Sequence, residues 1–519
     1  MSPRHLRTAG ALVASVALFA TACSAGSTTS GTQSTGQASG SQGGAGGGSG
    51  QSNEALTIGL AAEPASLDFS TTDGAAIPQA LLYNVYEGLV QLNQQGDIVP
   101  ALATSWDISK DRKTYTFHLV DNAKFTNGHT FTAQDAVYSI NRVKKDWTIS
   151  LKSAMDVVAD AQAVNATTLK VKLTHPSNDW LYRMTTRIGA MMTPSGVKTI
   201  ATKPVGTGPY VFQDWKRGDS ITFQRNANYW GKKPYYKTVT FKYFKDPTAL
   251  NNALLTGTIN VIGTVQAPES LKQFTSNNKY EVIEGTTNGE VVLSFNNSRP
   301  PLNDKRVRQA IRYAIDHKAL LDTCWAGYGK LIGSMVPPTD PWYEDLTGMY
   351  PHNVAKAKSL LKAAGAQHAT LRLRVPTLPY AVSCGTVVKS QLQQVGLNVK
   401  MDQLEFPAAW LTTVFTNANY DMSIVAHVEP RDLGAVFGNP KYYIRYNSKA
   451  VQEDLTKADE GTQQQQVAFM KKAARTISAD AASDFLFLLP NLMVADKGIT
   501  GLPKNAISES FDLSDLGRS

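Results

Sequence analysis

Histidine does most metal ligation and acid–base work near neutral pH, yet here it is sparse and scattered. Its positions are His5, His118, His129, His175, His317, His352, His368 and His427, with no HExxH or HxH spacing. Zinc chemistry therefore has no local signature. Gly206-Thr207-Gly208-Pro209-Tyr210 opens like a dinucleotide loop but lacks the third glycine. Pro209 also removes a backbone donor where a phosphate would need one. Gly329-Lys330 is followed by Leu331 rather than the hydroxyl of a P-loop. No GxSxG nucleophile elbow occurs in the folded part. The chain is expected not to be an enzyme and to use no metal or cofactor.

Three cysteines carry the remaining covalent chemistry. Arg4 and Arg7 precede an apolar run from Ala9 to Ala20, too short to span a bilayer, so residues 1–22 read as an export signal. Cleavage by ordinary signal peptidase near Ala22 is one outcome. The string Leu18-Phe19-Ala20-Thr21-Ala22-Cys23 looks like a bacterial lipobox, which implies that Cys23 becomes the acylated N-terminus. Two or three acyl chains would hold it stably on a membrane. Residues 23–53 are then a tether. From Ser24 to Asn53 there are ten glycines and eight serines among thirty residues, with no charge, too little to bury against the entropy of ordering. Cys324 and Cys384 remain, in a chain expected to be exported. They either form a disulfide or stay as two buried thiols, since spacing does not fix their distance.

The elements that must position any site alternate in type. Strand patterns occur at Leu56–Leu60, Tyr115–Leu119, Leu169–Leu173, Ile221–Arg225, Val291–Asn296, Leu371–Val375 and Leu397–Met401. Helical spacing occurs at Ile77–Leu89, from Thr132 through Val143, and at Asp304–Leu321, Asn353–Ala364 and Cys384–Val395. Thr132 with Asp135 reads as a helix start and Gly365 as a helix stop. Strand–helix units of this kind predict mixed sheets covered by helices. The 519 residues are long enough for several cores, and the net charge of +9, about +7 without Arg4 and Arg7, marks no nucleic-acid partner.

Dispersed segments carry a resemblance. They are Val85-Tyr86-Glu87-Gly88-Leu89-Val90; Pro100-Ala101-Leu102-Ala103-Thr104-Ser105-Trp106; Phe125-x-Asn127-Gly128 with Thr132-Ala133-x-Asp135; and Pro204 through Tyr210. Phe295-Asn296 with Arg306 to Ala310 and Ala314-Ile315-Asp316 follows, then Asn353 through Gly365. In this order the chain resembles the extracellular solute-binding proteins of family 5, which include oligopeptide- and dipeptide-binding proteins of ABC importers. The resemblance covers about residues 56–510.

It implies an α/β, two-lobed periplasmic-binding-protein-like clamp (type II, large class) with an extra subdomain in lobe I. Residues 54–92, 206–290 and 488–519 would form the lobe I core, 93–205 its inserted subdomain and 291–487 lobe II. Val291–Asn296 and Phe485–Asn491 would be the hinge crossovers. Function by resemblance is capture of an oligopeptide for an ABC permease and its ATPase, by a monomer anchored through lipid on the extracellular or periplasmic face of the cell membrane. The same clamp binding an oligosaccharide, nickel chelate or haem, or a peptide-sensing lipoprotein outside transport, are the alternatives.

Site residues follow from the same resemblance. His427 stands where peptide-binding members place an aromatic side chain, and Glu429 or Asp432 would meet the peptide's ammonium. Glu63 and Ser66, after the first strand, would lie beside an extended ligand. Tyr83 or Tyr86 would point into the cleft, and Trp410 would line it.

Overall fold

The computed structural model describes residues 51–519. The signal at 1–22, Cys23 and nearly all of the tether lie outside the described residues. Eighteen strands follow in chain order: β1 (Ala55–Leu60), β2 (Val90–Leu92), β3 (Ile98–Pro100), β4 (Ala103–Ile108), β5 (Thr114–Leu119), β6 (Val158–Asn165), β7 (Thr168–Leu173), β8 (Tyr210–Lys216) and β9 (Ser220–Arg225). The remainder are β10 (Thr238–Tyr243), β11 (Val261–Ile262), β12 (Tyr280–Phe295), β13 (Thr370–Pro376), β14 (Asn398–Leu404), β15 (Met422–His427), β16 (Ser483–Asp496), β17 (Ile499–Thr500) and β18 (Gly517–Arg518).

Ten strands form one mixed sheet in the order β14-β13-β15-β12-β16-β11-β1-β10-β9-β8. β1 runs parallel to β10 and β11, while β12 and β16 are antiparallel over nearly their whole length. Val291 to Phe295 are all buried, because helices cover both faces there. Val291, Leu293 and Phe295 enter one core, and Val292 enters another on the opposite face, as the two-residue period of a strand requires. The C-terminal Phe511, Leu513 and Leu516 return to pack with the core around β1.

A second sheet, β4-β5-β7-β6, is all antiparallel. Tyr115, Phe117, Leu119, Leu169, Val171 and Leu173 turn inward and the residues between them are more open. The helix Ala133–Asp146 lies against it. Its first turn is closed by Asp135, whose carboxylate accepts from Thr132 N (2.9 Å) and Thr132 Oγ1 (3.0 Å).

Two helices differ from the sequence pattern. The segment expected as Ile77–Leu89 is helical only over Ala76–Leu81. The chain leaves the helix at Leu82, Tyr83 takes a left-handed φ of 62°, and the next residues are claimed by tertiary contacts. Gly208 N donates to Val85 O and Tyr210 N to Asn84 O. A Cβ at Gly206 would lie 1.9 Å from Val85 O, so only glycine permits this approach. Asp304–Leu321 is two helices, Lys305–Ala314 and His317–Cys324. Asp316 breaks them by capping the second through Ala319 N (3.0 Å). Val291–Asn296 and Phe485–Asn491 are paired interior strand for most of their length. That ladder has two irregularities, one between Thr286 and Glu290 and one between Val291 and Val292, where Leu486 is passed over.

Glu87 ties these segments together. Its carboxylate accepts from Thr207 Oγ1 (2.7 Å), Tyr229 Oη (2.7 Å) and Trp230 Nε1 (2.9 Å). Burial nevertheless pushes it up to about 7 against those three donors. Beside it lies a cavity of about 420 Å³, lined among others by Tyr83, Tyr229, Trp230 and Asp512. Cys324 and Cys384 are joined, with Cα atoms 4.9 Å apart and a separation of 60 positions in sequence. The bond fastens the helix His317–Cys324 to the helix Pro379–Gln394.

Two outcomes follow. The paired substitution Cys324→Ser, Cys384→Ser should lower stability by about 2–4 kcal/mol, as expected for releasing a loop of this length. An unchanged guanidinium midpoint would show that the link carries no stability. Glu87 binds its proton more tightly folded than unfolded, so its contribution to stability falls as pH rises from about 4.5 to about 7, by on the order of 3 kcal/mol. Glu87→Gln should flatten the stability–pH profile over that window, and an identical slope in both proteins would exclude Glu87 as its source.

Candidate functional site

The β12–β16 pair, in the interior of the ten-stranded sheet, carries a register slip. Opposite Pro490 the ladder stops at Thr286, and it resumes with Glu290 opposite Leu488. The freed residues find other partners: Thr287 Oγ1 donates to Leu489 O (2.6 Å), and Asn288 Nδ2 to Ile507 O (2.7 Å). Glu290 is also directly opposite His427 on β15. Cross-strand partners project to the same face, so these two polar side chains lie together at the end of an apolar run.

His427 is buried and held on both nitrogens. Nε2 is 2.9 Å from Tyr443 Oη, and Nδ1 is 3.5 Å from Asp432 Oδ2. Its ring stacks on Tyr443, centroids 6.0 Å apart and planes 11° apart. β15 ends there, and the chain turns through Glu429 and Arg431, the latter at φ 55°, to Asp432 before the helix Leu433–Gly438. The Arg431 guanidinium lies over the ring of Tyr182 (3.7 Å) and near Trp342 (4.9 Å). Its Nε is 3.5 Å from Asp340.

The opposing wall comes from residues 178–189. Arg183 pairs with Asp179 (2.8 Å) and donates to the carbonyls of Pro430 and Arg431, each at 3.1 Å. Arg187 is held by Glu509: its Nε donates to Oε1 (2.8 Å) and its backbone N to Oε2 (2.7 Å). A second contact between the halves lies farther out. Asp459 accepts from Ser177 Oγ (2.8 Å) and Asp179 N (2.9 Å) at the start of the helix Asn178–Arg183. Asn178 Nδ2 donates to Ala458 O and Gly461 O, and the Arg112 guanidinium to Glu460 O and Gly461 O. Each helix end thus receives the charge that complements its dipole. These contacts join residues 112 and 177–183 to residues 430–431 and 458–461.

The site between them is rich in acid. Glu290 is 2% exposed and its Oε2 has no hydrogen-bond partner. Burial pushes it well above the usual carboxylate range, and Asp432, Asp340 and Glu429 push it further. Burial likewise raises Glu429, with Asp432 adding and Arg187 opposing. Asp340 is pushed up to about 6 by burial, against the pull of Arg431. Arg183 and Arg187 are hydrogen-bonded to carboxylates, and Arg431 is paired with Asp340 although its Nε makes no hydrogen bond. What this arrangement lacks is positive charge, and an ammonium or guanidinium group brought by a ligand would supply it.

The structure brings His427, Glu429 and Asp432 together and leaves the other sequence-derived residues elsewhere. Trp410 is buried, donates to Ser423 Oγ (3.1 Å), and lies behind Tyr443 in an aromatic wall with Phe415. Tyr83 is buried, with its hydroxyl donating to Thr185 O (2.6 Å) and accepting from Leu92 N. Tyr86 packs edge-on against Phe69 in the core. Glu63 is occupied by Trp215 Nε1 (2.8 Å) and Gly218 N (2.9 Å) on the β8–β9 hairpin. Ser66 accepts from Asp68 N within a local turn. Sequence reasoning did not single out Glu290, Asp340, Arg187 or Glu509. Glu290 carried a signal, a charge opening an otherwise apolar strand. The others come from distant segments with none.

The family model "Bacterial extracellular solute-binding proteins, family 5 Middle" matches residues 97–449. The chain is 34% identical over 298 residues to the nickel-binding periplasmic protein of Escherichia coli, covering 54% of this chain and 56% of that relative. The chain thus spans just over half the length of that relative. It is 26% identical over 498 residues to the "Probable D,D-dipeptide-binding periplasmic protein DdpA" of Escherichia coli, covering 90% of this chain and 94% of the relative. In fold it is similar to the ABC transporter-associated periplasmic binding protein DppA from Helicobacter pylori in complex with peptide STSA. There the TM-score is 0.82 at 23% identity, covering 90% of this chain and 98% of that one. It is similar also to NikZ from Campylobacter jejuni in complex with Ni(L-His), with a TM-score of 0.78 at 20% identity, covering 90% and 100%. The architecture is the two-lobed α/β clamp of the type II periplasmic-binding proteins. With the family model matched across the middle of the molecule, the chain belongs to the bacterial extracellular solute-binding proteins, family 5.

Proposed function

We propose that this protein is a non-catalytic, lipid-anchored receptor that captures oligopeptides between its lobes and delivers them to an ABC import permease. The observation that carries this reading is the acid-rich site at the junction of the two halves, where Glu290, Glu429 and Asp432 lack enough positive charge. A peptide brings an α-ammonium to such a place. Relatives named for dipeptides and a structural neighbour holding a peptide support the same ligand class. Residues 54–92, 206–290 and 488–519 serve as the core of one lobe, 93–205 as its inserted subdomain, and 291–487 as the other lobe. The pattern Leu18–Cys23 supports attachment through acylated Cys23 on the outer face of the membrane, with residues 24–53 as tether.

In this mechanism an open clamp admits the peptide and closure desolvates it. The ligand shifts the equilibrium by as much as it prefers the closed form. Moving a clamp from about 1% to about 99% closed takes about 5.5 kcal/mol of such preference. Part of the closed form's stability comes from the protein alone, through Asp459, Asn178, Arg112 and Arg183.

Native mass spectrometry of the chain from residue 54, followed by denaturation, should release a ladder of short-peptide masses. A single non-peptide mass would replace the ligand, and peptides retained equally by Asp432→Ala and Glu429→Ala would remove those acids as its anchor. Asp459→Ala should open the free protein, seen as a larger radius of gyration by X-ray scattering. It should weaken ligand affinity about tenfold, on the scale of one charge-assisted hydrogen bond. Unchanged scattering and affinity would show that the outer contact plays no part in closure.

A further inference from the structure

Glu290 differs from the other acids of the cleft by its place in the fold. It stands on β12, the strand that passes between the halves, as the first residue to rejoin the ladder after the slip at Thr286. Its backbone is fixed on both sides, by His427 of β15 and Leu488 of β16. Its carboxyl group is buried, with 2% of the residue exposed, yet Oε2 has no partner. A buried acceptor left unpaired is costly, and the remedy within the protein is absent because each nearby cation is committed elsewhere. Arg431 lies over Tyr182 and beside Asp340, Arg187 is bound to Glu509, and Arg183 to Asp179. Lys330, whose backbone pairs with Leu488, sends its ammonium toward the ring of Tyr343 at 5.4 Å.

Resting on the reading of this cleft as the solute site, we infer that Glu290 is the counter-ion for a second positive charge on the solute. The preferred class is then peptides carrying a basic side chain in addition to their α-ammonium. The α-ammonium falls to Glu429 and Asp432, and the side-chain ammonium or guanidinium reaches in to Glu290. Because Glu290 is at the slip between the halves, a cation seated there draws on both walls and is satisfied only when the clamp is closed. Around Glu290 the titratable groups are His427, Asp432, Asp340 and Glu429, three of them acids. Burial among them favours a proton on Glu290 in the empty closed cleft, and an arriving cation displaces it. Binding of a basic peptide thus releases a proton and strengthens as pH rises.

Isothermal titration tests this with three probes, trilysine, trialanine and the diamine cadaverine, against the natural chain and Glu290→Gln. The amide has the shape of the protonated acid, so the variant should keep its melting temperature, checked beforehand. Trilysine should bind the natural chain roughly 10- to 100-fold more tightly than trialanine, the range for one buried charge-assisted bond. That preference should fall below about threefold in Glu290→Gln. Heats measured in phosphate and in Tris at pH 7 should reveal proton release on binding trilysine to the natural chain, a readout that needs no variant. Equal affinities for the two tripeptides, or a lysine preference surviving in Glu290→Gln, overturns the role of Glu290 while leaving peptide capture intact. Cadaverine binding that depends on Glu290, with neither tripeptide bound, keeps the cation site and removes the peptide reading. Binding of none of the three removes both.

Discussion

The paired strands β12 and β16 are the constraint on which the rest depends. Their antiparallel ladder runs from Tyr280 opposite Asp496 to Ser294 opposite Ser483, through both halves of the molecule. A ladder of this length would make one stiff sheet if its hydrogen bonds were unbroken. The slip between Thr286 and Glu290 interrupts it; there the side chains of Thr287 and Asn288 donate to the carbonyls of Leu489 and Ile507, and Gly289 N donates to Thr287 Oγ1. Such contacts can persist while a few dihedrals change, which is what a hinge requires. The slip advances β12 by four residues against two of β16, an even shift that keeps each side chain on its face, and a one-residue shift follows between Val291 and Val292.

Charge at that junction is distributed unequally, and the inequality has a physical reading. The guanidinium groups of Arg183, Arg187 and Arg431 each have a partner in the protein, so they brace the walls. Arg187 with Glu509 is the clearest case, both side chains nearly inaccessible, where removing one partner would strand a buried charge. The carboxyl groups of Glu290 and Glu429 have no comparable partner. These arginines are therefore paired within the protein, while the carboxyl groups beside them are left electrostatically incomplete.

The sequence made much of this scaffold legible and little of its site. Alternating apolar residues marked β5 and β7, Thr132 with Asp135 marked a helix start, and Gly206 marked a turn whose close approach to Val85 requires glycine. Helices were misjudged where tertiary contacts override periodicity: Tyr83 turns left-handed because Asn84 and Val85 accept bonds from Gly208 and Tyr210, and Asp316 caps a new helix within an unbroken apolar pattern. His427, Glu429 and Asp432 lie together because they sit at the end of β15 and in the turn after it. Tyr83, Tyr86, Glu63 and Ser66 are engaged elsewhere by burial and local hydrogen bonds. Arg187 and Glu509 stand 322 residues apart, a distance that no local spacing encodes.

In the proposed mechanism, closure is a balance between two terms of opposite sign. The outer contact of Asp459, Asn178 and Arg112 joins helix ends of complementary charge and favours the closed form whether or not solute is present. The inner site opposes it, because closing an empty cleft buries acids that water would otherwise solvate. A cationic solute reverses the sign of the inner term and leaves the outer one unchanged. Selectivity and closure therefore share a cause: a solute without the matching charge still pays the desolvation of Glu290 and its neighbours and gains nothing in return.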